Sequence, residues 1–155
     1  MQRLVDAFSP DGAPVVVRSF ACNYRALKEG VYAKVDFEVL RSESGAGVEA
    51  VEFTFVLIDI FDSFLTSIQG IAGPGKYSAG PKKHKARWVL AMDGAFSQYH
   101  ALCFPSQARL IDGAVWRCNR DACIAWLNGE LEEAGVVLTE EDVFPQEAAR
   151  EGTSE

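Results

Sequence analysis

The side chains in this sequence best suited to chemistry are Cys22, Cys103, Cys118 and Cys123, with His84 and His100. His100-x2-Cys103 and Cys118-x4-Cys123 together make a conceivable set of four zinc ligands, since thiolate sulfur and imidazole nitrogen suit a tetrahedral ion. The second spacing sits at the edge of the usual range, and a near-neutral β-domain of this size needs no metal to fold. Two other readings of the same cysteines stay open. They pair as disulfides, Cys22 with Cys103 stapling sheet to sheet and Cys118 with Cys123 locking a helix start, or they are free thiols filling the core.

A second group of residues points to anions. Gly70-Ile-Ala-Gly-Pro-Gly75-Lys76-Tyr77 comes close to the Gly-x4-Gly-Lys-Ser/Thr loop, which cradles phosphates on backbone N–H groups at a helix start. Here Tyr77 replaces the hydroxyl residue, Pro74 removes a donor, and Ser78-Ala-Gly80-Pro81 cannot continue as a helix. The expectation is therefore a Gly/Pro-rich connection between strands. Lys76, Lys82, Lys83, Lys85 and Arg87 follow with no acid between them. They read either as a patch for an anion or an acidic partner, or as a solvated loop lying near the acidic C-terminus.

For catalysis the inventory is thin. His84 lies in the lysine run, where it is expected to be exposed, and no Gly-x-Ser-x-Gly elbow occurs. Asp59 and Asp62 could hold calcium with loop carbonyls, but such residues more commonly cap a turn. No catalytic residue and no cofactor are expected.

The elements that would position these residues follow from periodicity. In Val31-Tyr-Ala-Lys-Val35-Asp-Phe-Glu-Val39 every odd position is apolar and three of the four even ones are charged, a strand with one face in the core. Glu49 to Leu65 alternates at first, then turns apolar on both faces from Phe55 to Phe61 apart from Asp59, as a strand covered on both sides does. Arg41 to Gly47 is the polar connection between them. Pro14 to Cys22 and Lys85 to Met92 read as further strands. Tyr99 to Cys103 and Gln107 to Ile111 read as one strand, bent at Pro105 because proline cannot donate to the ladder. Asp112-Gly113 reads as a two-residue hairpin turn. That turn sets Trp116 opposite Arg109 and Val115 opposite Leu110, with Leu110, Ala108 and Val115 on the core face and Trp116 and Arg109 on the other.

Beyond Cys118 the period changes. Ile124, Leu127, Leu131 and Ala134 form the stripe of an amphipathic helix over about 119–135, with Asn119 or Asp121 as cap and Gly135 as terminator. Val136-Val-Leu138 forms a short apolar clasp, and Thr139-Glu-Glu-Asp142 a capping box for one turn. Phe61, Phe64, Leu65, Ile68 and Ile71 exceed the needs of an alternating strand. They are ordinary core if the C-terminal helix covers them and an interface if it does not.

Composition bounds the rest. The chain has 155 residues, 48% of them hydrophobic, enough for one domain with a packed core. The net charge of -7 argues against nucleic acid as a partner. The acidity is local, with nine acids and one arginine in residues 129–155. No apolar stretch is long enough for a transmembrane segment. Met1-Gln-Arg-Leu-Val-Asp sets an acid where a signal core would begin, so the protein is cytoplasmic or starts after a removed leader. The cysteines lean toward a periplasmic or extracellular site.

Phe55-Val56-Leu57-Ile58-Asp59 resembles the Phe-x-Leu-Tyr-Asp motif of bacterial immunoglobulin-like domains of the FxLYD type, with Ile58 in the place of the tyrosine. Gly73-Pro74 after the motif strand, the Trp88 strand, Cys103, and Asp112-Gly-Ala-Val-Trp116 are similar to related bacterial proteins. The likeness covers about Val15 to Trp116. It implies a non-enzymatic extracytoplasmic module. The fold expected is mainly β: an antiparallel immunoglobulin-like sandwich of about seven strands over residues 1–136, including one C-terminal helix, followed by an acidic tail over 137–155. The expected function is a non-catalytic protein-interaction or structural module, an accessory subunit of a bacterial assembly with a protein partner. The alternative is a small-anion or zinc-binding protein using the Gly/Lys loop or the His/Cys set.

Overall fold

A computed structural model describes residues 4–25, 30–40, 47–92 and 98–145. The N-terminal Met1-Gln-Arg, nearly all of the Arg41–Gly47 connection and the chain beyond Pro145 lie outside these residues. Among these described residues eight strands and two helices follow in order: β1 (Leu4–Ala7), β2 (Val15–Arg25), β3 (Gly30–Val39), β4 (Val48–Asp59), β5 (Phe64–Ala72), β6 (His84–Met92), β7 (Gln98–Leu110), β8 (Val115–Arg117), α1 (Arg120–Glu130) and α2 (Glu140–Val143). They form two sheets. One runs β1-β7-β4-β5 with β8 added on β7, and the other runs β2-β3-β6.

The protein is thus mainly β, as its alternating pattern requires, but not wholly antiparallel. β1 pairs in parallel with β7, Val5 opposite Ala101. Four residues without alternation gave no strand signal of their own. The expected long strand from Glu49 to Leu65 is instead two strands joined by a hairpin. Asp59 makes the turn: its Oδ1 accepts from the backbone N–H groups of Phe61 and Ser63, each at 2.9 Å, and Asp62 takes a φ of 61°. An aspartate-made turn carries no Gly or Pro signature, so apolar periodicity runs through it unbroken.

Two cores result. Between the sheets lie Val31, Val35, Phe37, Phe53, Phe55 and Leu57 with Cys22 and Cys103. Trp88 sits in this layer, 5.2 Å from Phe55 between ring centroids. Gly70 leaves it room, because a Cβ there would meet the indole at 2.9 Å. The other face of β4 and β7 offers Val56, Ile58, Leu102 and Phe104 to Cys123, Leu127 and Leu131 from the helix region. The doubly apolar half of β4 is explained by this second layer.

The cap signals at the helix held, but α1 ends at Glu130, short of the expected 135, and residues 131–135 continue as turns. The Asn119 side chain accepts from Ala122 N–H at 3.0 Å. Val136 N–H returns to Leu131 C=O and Gly135 N–H to Glu132 C=O, with Gly135 at φ 74°: the paired closure of a Schellman motif. The Thr139/Asp142 capping box starts α2. The clasp extends further than expected. Leu138, Val143 and Phe144 are buried in the second core, Ser67 Oγ donates to Asp142 C=O, and Gln69 Nε2 donates to Val143 C=O at 3.0 Å. Residues 137–144 therefore belong to the packed body, and the expected boundary of an acidic tail at 137 is corrected. The remainder of that tail lies outside the described residues.

The second hairpin also differs. Leu110 N–H donates to Ala114 C=O and Gly113 N–H to Leu110 C=O, so the loop is Ile111-Asp112-Gly113, with Gly113 at φ 95°. The extra loop residue sets Val115 opposite Arg109 and Trp116 opposite Ala108. A one-residue slip exchanges faces: Trp116 packs against the inter-sheet core, and Val115 is exposed.

Candidate functional site

The His/Cys set is not assembled. His100 and Cys103 lie three apart on β7, so they face opposite sides of the sheet. Cys103 is in the inter-sheet core. His100 turns to the other face, where its Nε2 meets Asp6 Oδ2 at 2.6 Å and latches β1 onto β7. Cys118 and Cys123 belong to the second core. Among the described residues no three His, Cys, Asp or Glu side chains converge. The zinc reading falls on a simple geometric fact, the alternation of a strand. Asp59 and Asp62 share one turn, where Asp62 N–H donates to Asp59 C=O at 3.1 Å and Asp59 Oδ1 is occupied by the amides of Phe61 and Ser63.

All four cysteines are free thiols, so the expected disulfides are not formed. Cys22 and Cys103 both pack in the inter-sheet core. Burial, and then the neighbouring Cys22, push the Cys103 thiol well up, which keeps it protonated and unreactive. Cys118 differs. It is half-buried at the rim, and its backbone N–H donates to Ser106 C=O at 2.9 Å. A hydrogen bond from the Cys123 thiol lowers its pKa most; burial opposes this, Arg120 and its own backbone amide assist, and Glu52 opposes weakly. Cys123 is raised in return, by that hydrogen bond and by burial.

The Gly/Lys loop makes no phosphate cradle. Gly70 to Ala72 are strand β5, bonded across to β4, and β6, not a helix, follows. Lys76, Lys82, Lys83, Lys85 and Arg87 are all exposed, but they do not act as one cluster. Lys76, Lys82 and Lys83 lie in the β5–β6 connection, whereas Lys85 and Arg87 stand on the outer face of β6. His84, expected to be exposed, is half-buried, with ring centroids 5.5 Å from Phe37 and 5.1 Å from Tyr77.

The sheet register adds cations that the linear run did not include. Lys34 stands directly opposite Arg87, and Tyr32 opposite Val89; Asn23 lies opposite Tyr32. The Arg25 guanidinium lies 5.4 Å from the Tyr32 ring centroid. These six residues line a shallow groove on the outer face of β2-β3-β6. Lys34 and Arg87 form no ion pair among the described residues. Farther along the face the charges are balanced: Arg18 bonds Glu38 at 3.0 Å, and Asp36 lies opposite Lys85. No sequence signal joined Lys34 and Arg25 to the basic run, because they are more than forty residues away and only strand pairing brings them in.

The described part of the acidic segment, up to Pro145, does not cover this groove. α1 and α2 pack on the far face of the other sheet, and their one described ion pair is internal, Arg120 to Glu140 at 2.8 Å. The apolar excess splits. Ile68 packs on the inter-sheet core and Phe64 on the second core. Phe61 is 82% exposed, and Leu65 and Ile71 are also in solvent.

No family profile matches the chain, and no curated protein matches it in sequence. Four chains of solved structures match it. Among them is a hypothetical protein from Peptoclostridium difficile 630, similar at a TM-score of 0.54 and 10% identity over 86% of this chain and 97% of that one. At that identity the likeness is one of fold alone. Among the described residues no helix is long and apolar enough to cross a membrane.

Proposed function

We propose that this chain is a non-catalytic, immunoglobulin-like interaction module of the FxLYD kind, an accessory subunit of a larger bacterial assembly, and that it holds an acidic protein partner on the outer face of β2-β3-β6. The strand order supports the immunoglobulin-like reading: β2-β3-β6 against β5-β4-β7-β8 corresponds to strands ABE against C′CFG. The places of the motif residues support that reading. Phe55 and Leu57 enter the inter-sheet core, Asp59 closes the following turn, and Ile58 faces the helix layer, where an aliphatic side chain packs well.

One observation carries the docking reading: Lys34 and Arg87 are cross-strand neighbours on an open face. Like charges directly opposite one another destabilise a sheet, and an acidic partner converts that cost into attraction. Tyr32 and the 53%-exposed Val89 sit beside them, a combination of aromatic, arginine and apolar contact typical of binding centres. The test is capture from the native source with the wild type and with the double reversal Lys34→Glu/Arg87→Glu. Partners lost in the folded double variant, and lost from the wild type in high salt, support the reading; an identical set of partners overturns it.

A further inference from the structure

The apolar side chains of β5 that neither core absorbs stand on a sheet edge. In the order β1-β7-β4-β5, β5 has a neighbour on one side only. An open edge is a template for pairing with another chain, and proteins guard edges with charge, proline, bulges or brevity. Among the described residues the other edges are guarded. β1 and β8 have four and three residues. β2 carries Arg18, Arg25 and a register shift, and β6 carries Lys85 and Arg87. By contrast β5 runs for nine residues, Phe64-Leu-Thr-Ser-Ile-Gln-Gly-Ile-Ala72, without a charge or a proline. Its register shift lies near its start, at Leu65, and leaves Thr66 to Ala72 regular.

Alternation decides which backbone groups of β5 face outward. Asp59 N–H donates to Ser63 C=O, so Asp59 and every second residue before it, Leu57, Phe55, Phe53 and Val51, turn their backbone groups toward β5. Their partners Thr66, Ile68, Gly70 and Ala72 turn back toward β4. Ser67, Gln69 and Ile71 are left facing the open side. Trp88 Nε1 donates to the Ile71 carbonyl at 3.2 Å. Among the described residues nothing beyond the sheet accepts from the N–H groups of Ser67, Gln69 and Ile71. The strand is also held in place, since the Ser67 and Gln69 side chains donate to the carbonyls of Asp142 and Val143. A strand ordered beforehand loses little further entropy on pairing.

We propose that β5 pairs antiparallel with β5 of a second copy of this chain, about a two-fold axis at Ile68, so that the larger sheets of two molecules become one. In that register Ser67 of each copy falls opposite Gln69 of the other, and each such pair exchanges both N–H to C=O hydrogen bonds. Leu65 falls opposite Ile71. These are the exposed apolar side chains of the strand, 41% and 59% exposed, and Leu65 has no partner on β4. Moving the axis to Ser67 or Gln69 shortens the overlap and parts Leu65 from Ile71. Charge selects the direction. The turn before β5 carries Asp62 and the connection after it Lys76, both exposed. Antiparallel pairing lays the acidic end of one copy beside the basic end of the other, whereas parallel pairing lays like beside like. Such an isologous contact closes at two copies. A single strand pair is a small interface, so the dimer forms reversibly with concentration. The groove proposed for an acidic partner lies on the other sheet, and the two readings stand or fall separately.

The experiment is analytical ultracentrifugation of the full chain over a wide range of protein concentration. The wild type should pass reversibly from monomer to dimer and go no further. Leu65→Lys/Ile71→Lys sets lysine opposite lysine across the axis and should raise the dissociation constant at least about 10-fold. Leu65→Lys/Ile71→Glu sets lysine opposite glutamate in this register and should dimerise more tightly than the double-lysine variant. Should a variant not fold, amide exchange on the wild type gives a second readout: protection of the Ser67 and Gln69 N–H groups should rise with protein concentration. A monomer at every concentration, or association that continues past the dimer, would overturn the proposal. So would a double-lysine variant that dimerises like the wild type, two double variants that dimerise alike, or edge amides whose exchange ignores concentration.

Discussion

Asp59 shows what one side chain does for this fold. Its carboxylate takes two backbone donors and turns a continuous apolar run into the β4–β5 hairpin. Asp59→Ala leaves both amides to water and should lower stability by about 1–2 kcal/mol, read as a lower guanidinium midpoint. Asp59→Asn keeps an acceptor oxygen and should lose less. Gly70 acts by absence. Gly70→Ala drives a methyl group against the Trp88 indole, with an expected cost of about 1–3 kcal/mol and a shift in tryptophan emission as Trp88 is displaced. An unchanged spectrum and midpoint would show that the indole moves aside freely. Asp59 was legible in the sequence as a turn former through its motif. Gly70 was misplaced, because a glycine chosen for close approach looks the same as one chosen for a loop.

At the scale of elements, the helix layer completes the larger sheet. Leu127 is fully buried against β4 and β7, so Leu127→Ala should cost about 2–5 kcal/mol, measured by thermal or denaturant unfolding. Ending the chain after Gly135 removes Leu138, Val143 and Phe144 from the same core. The shortened protein should bind anilinonaphthalene sulfonate and self-associate; a monomer that leaves the dye dark would show that α2 is dispensable. The helix, its caps and the capping box were readable because their determinants lie within a few residues of one another. The β7–β8 hairpin was not. Two- and three-residue loops share the Asp-Gly signature, and the choice between them decides whether Trp116 or Val115 faces the core.

Across the whole molecule, charge is sorted by layer: a cationic groove on the smaller sheet, acids on the helix layer beyond the larger one. If the groove is kept for a partner, relieving its repulsion should stabilise the free protein. Arg87→Glu sets a carboxylate opposite Lys34 and should gain about 0.2–1 kcal/mol, seen as a higher denaturation midpoint together with loss of partner capture. A fall in the midpoint would mean that Arg87 already serves the fold. Alternating polarity, apolar content and local capping residues determined from sequence alone that the chain builds two-faced strands and one closing helix, because those signals act over short range. Which strand lies beside which was decided only by the tertiary structure. That choice sent His100 and Cys103 to opposite faces and set Lys34 against Arg87. Alternation fixes the side of a sheet on which a residue stands but not its neighbour, and neighbours come from ladder register, which turn geometry and the packing of distant segments select together.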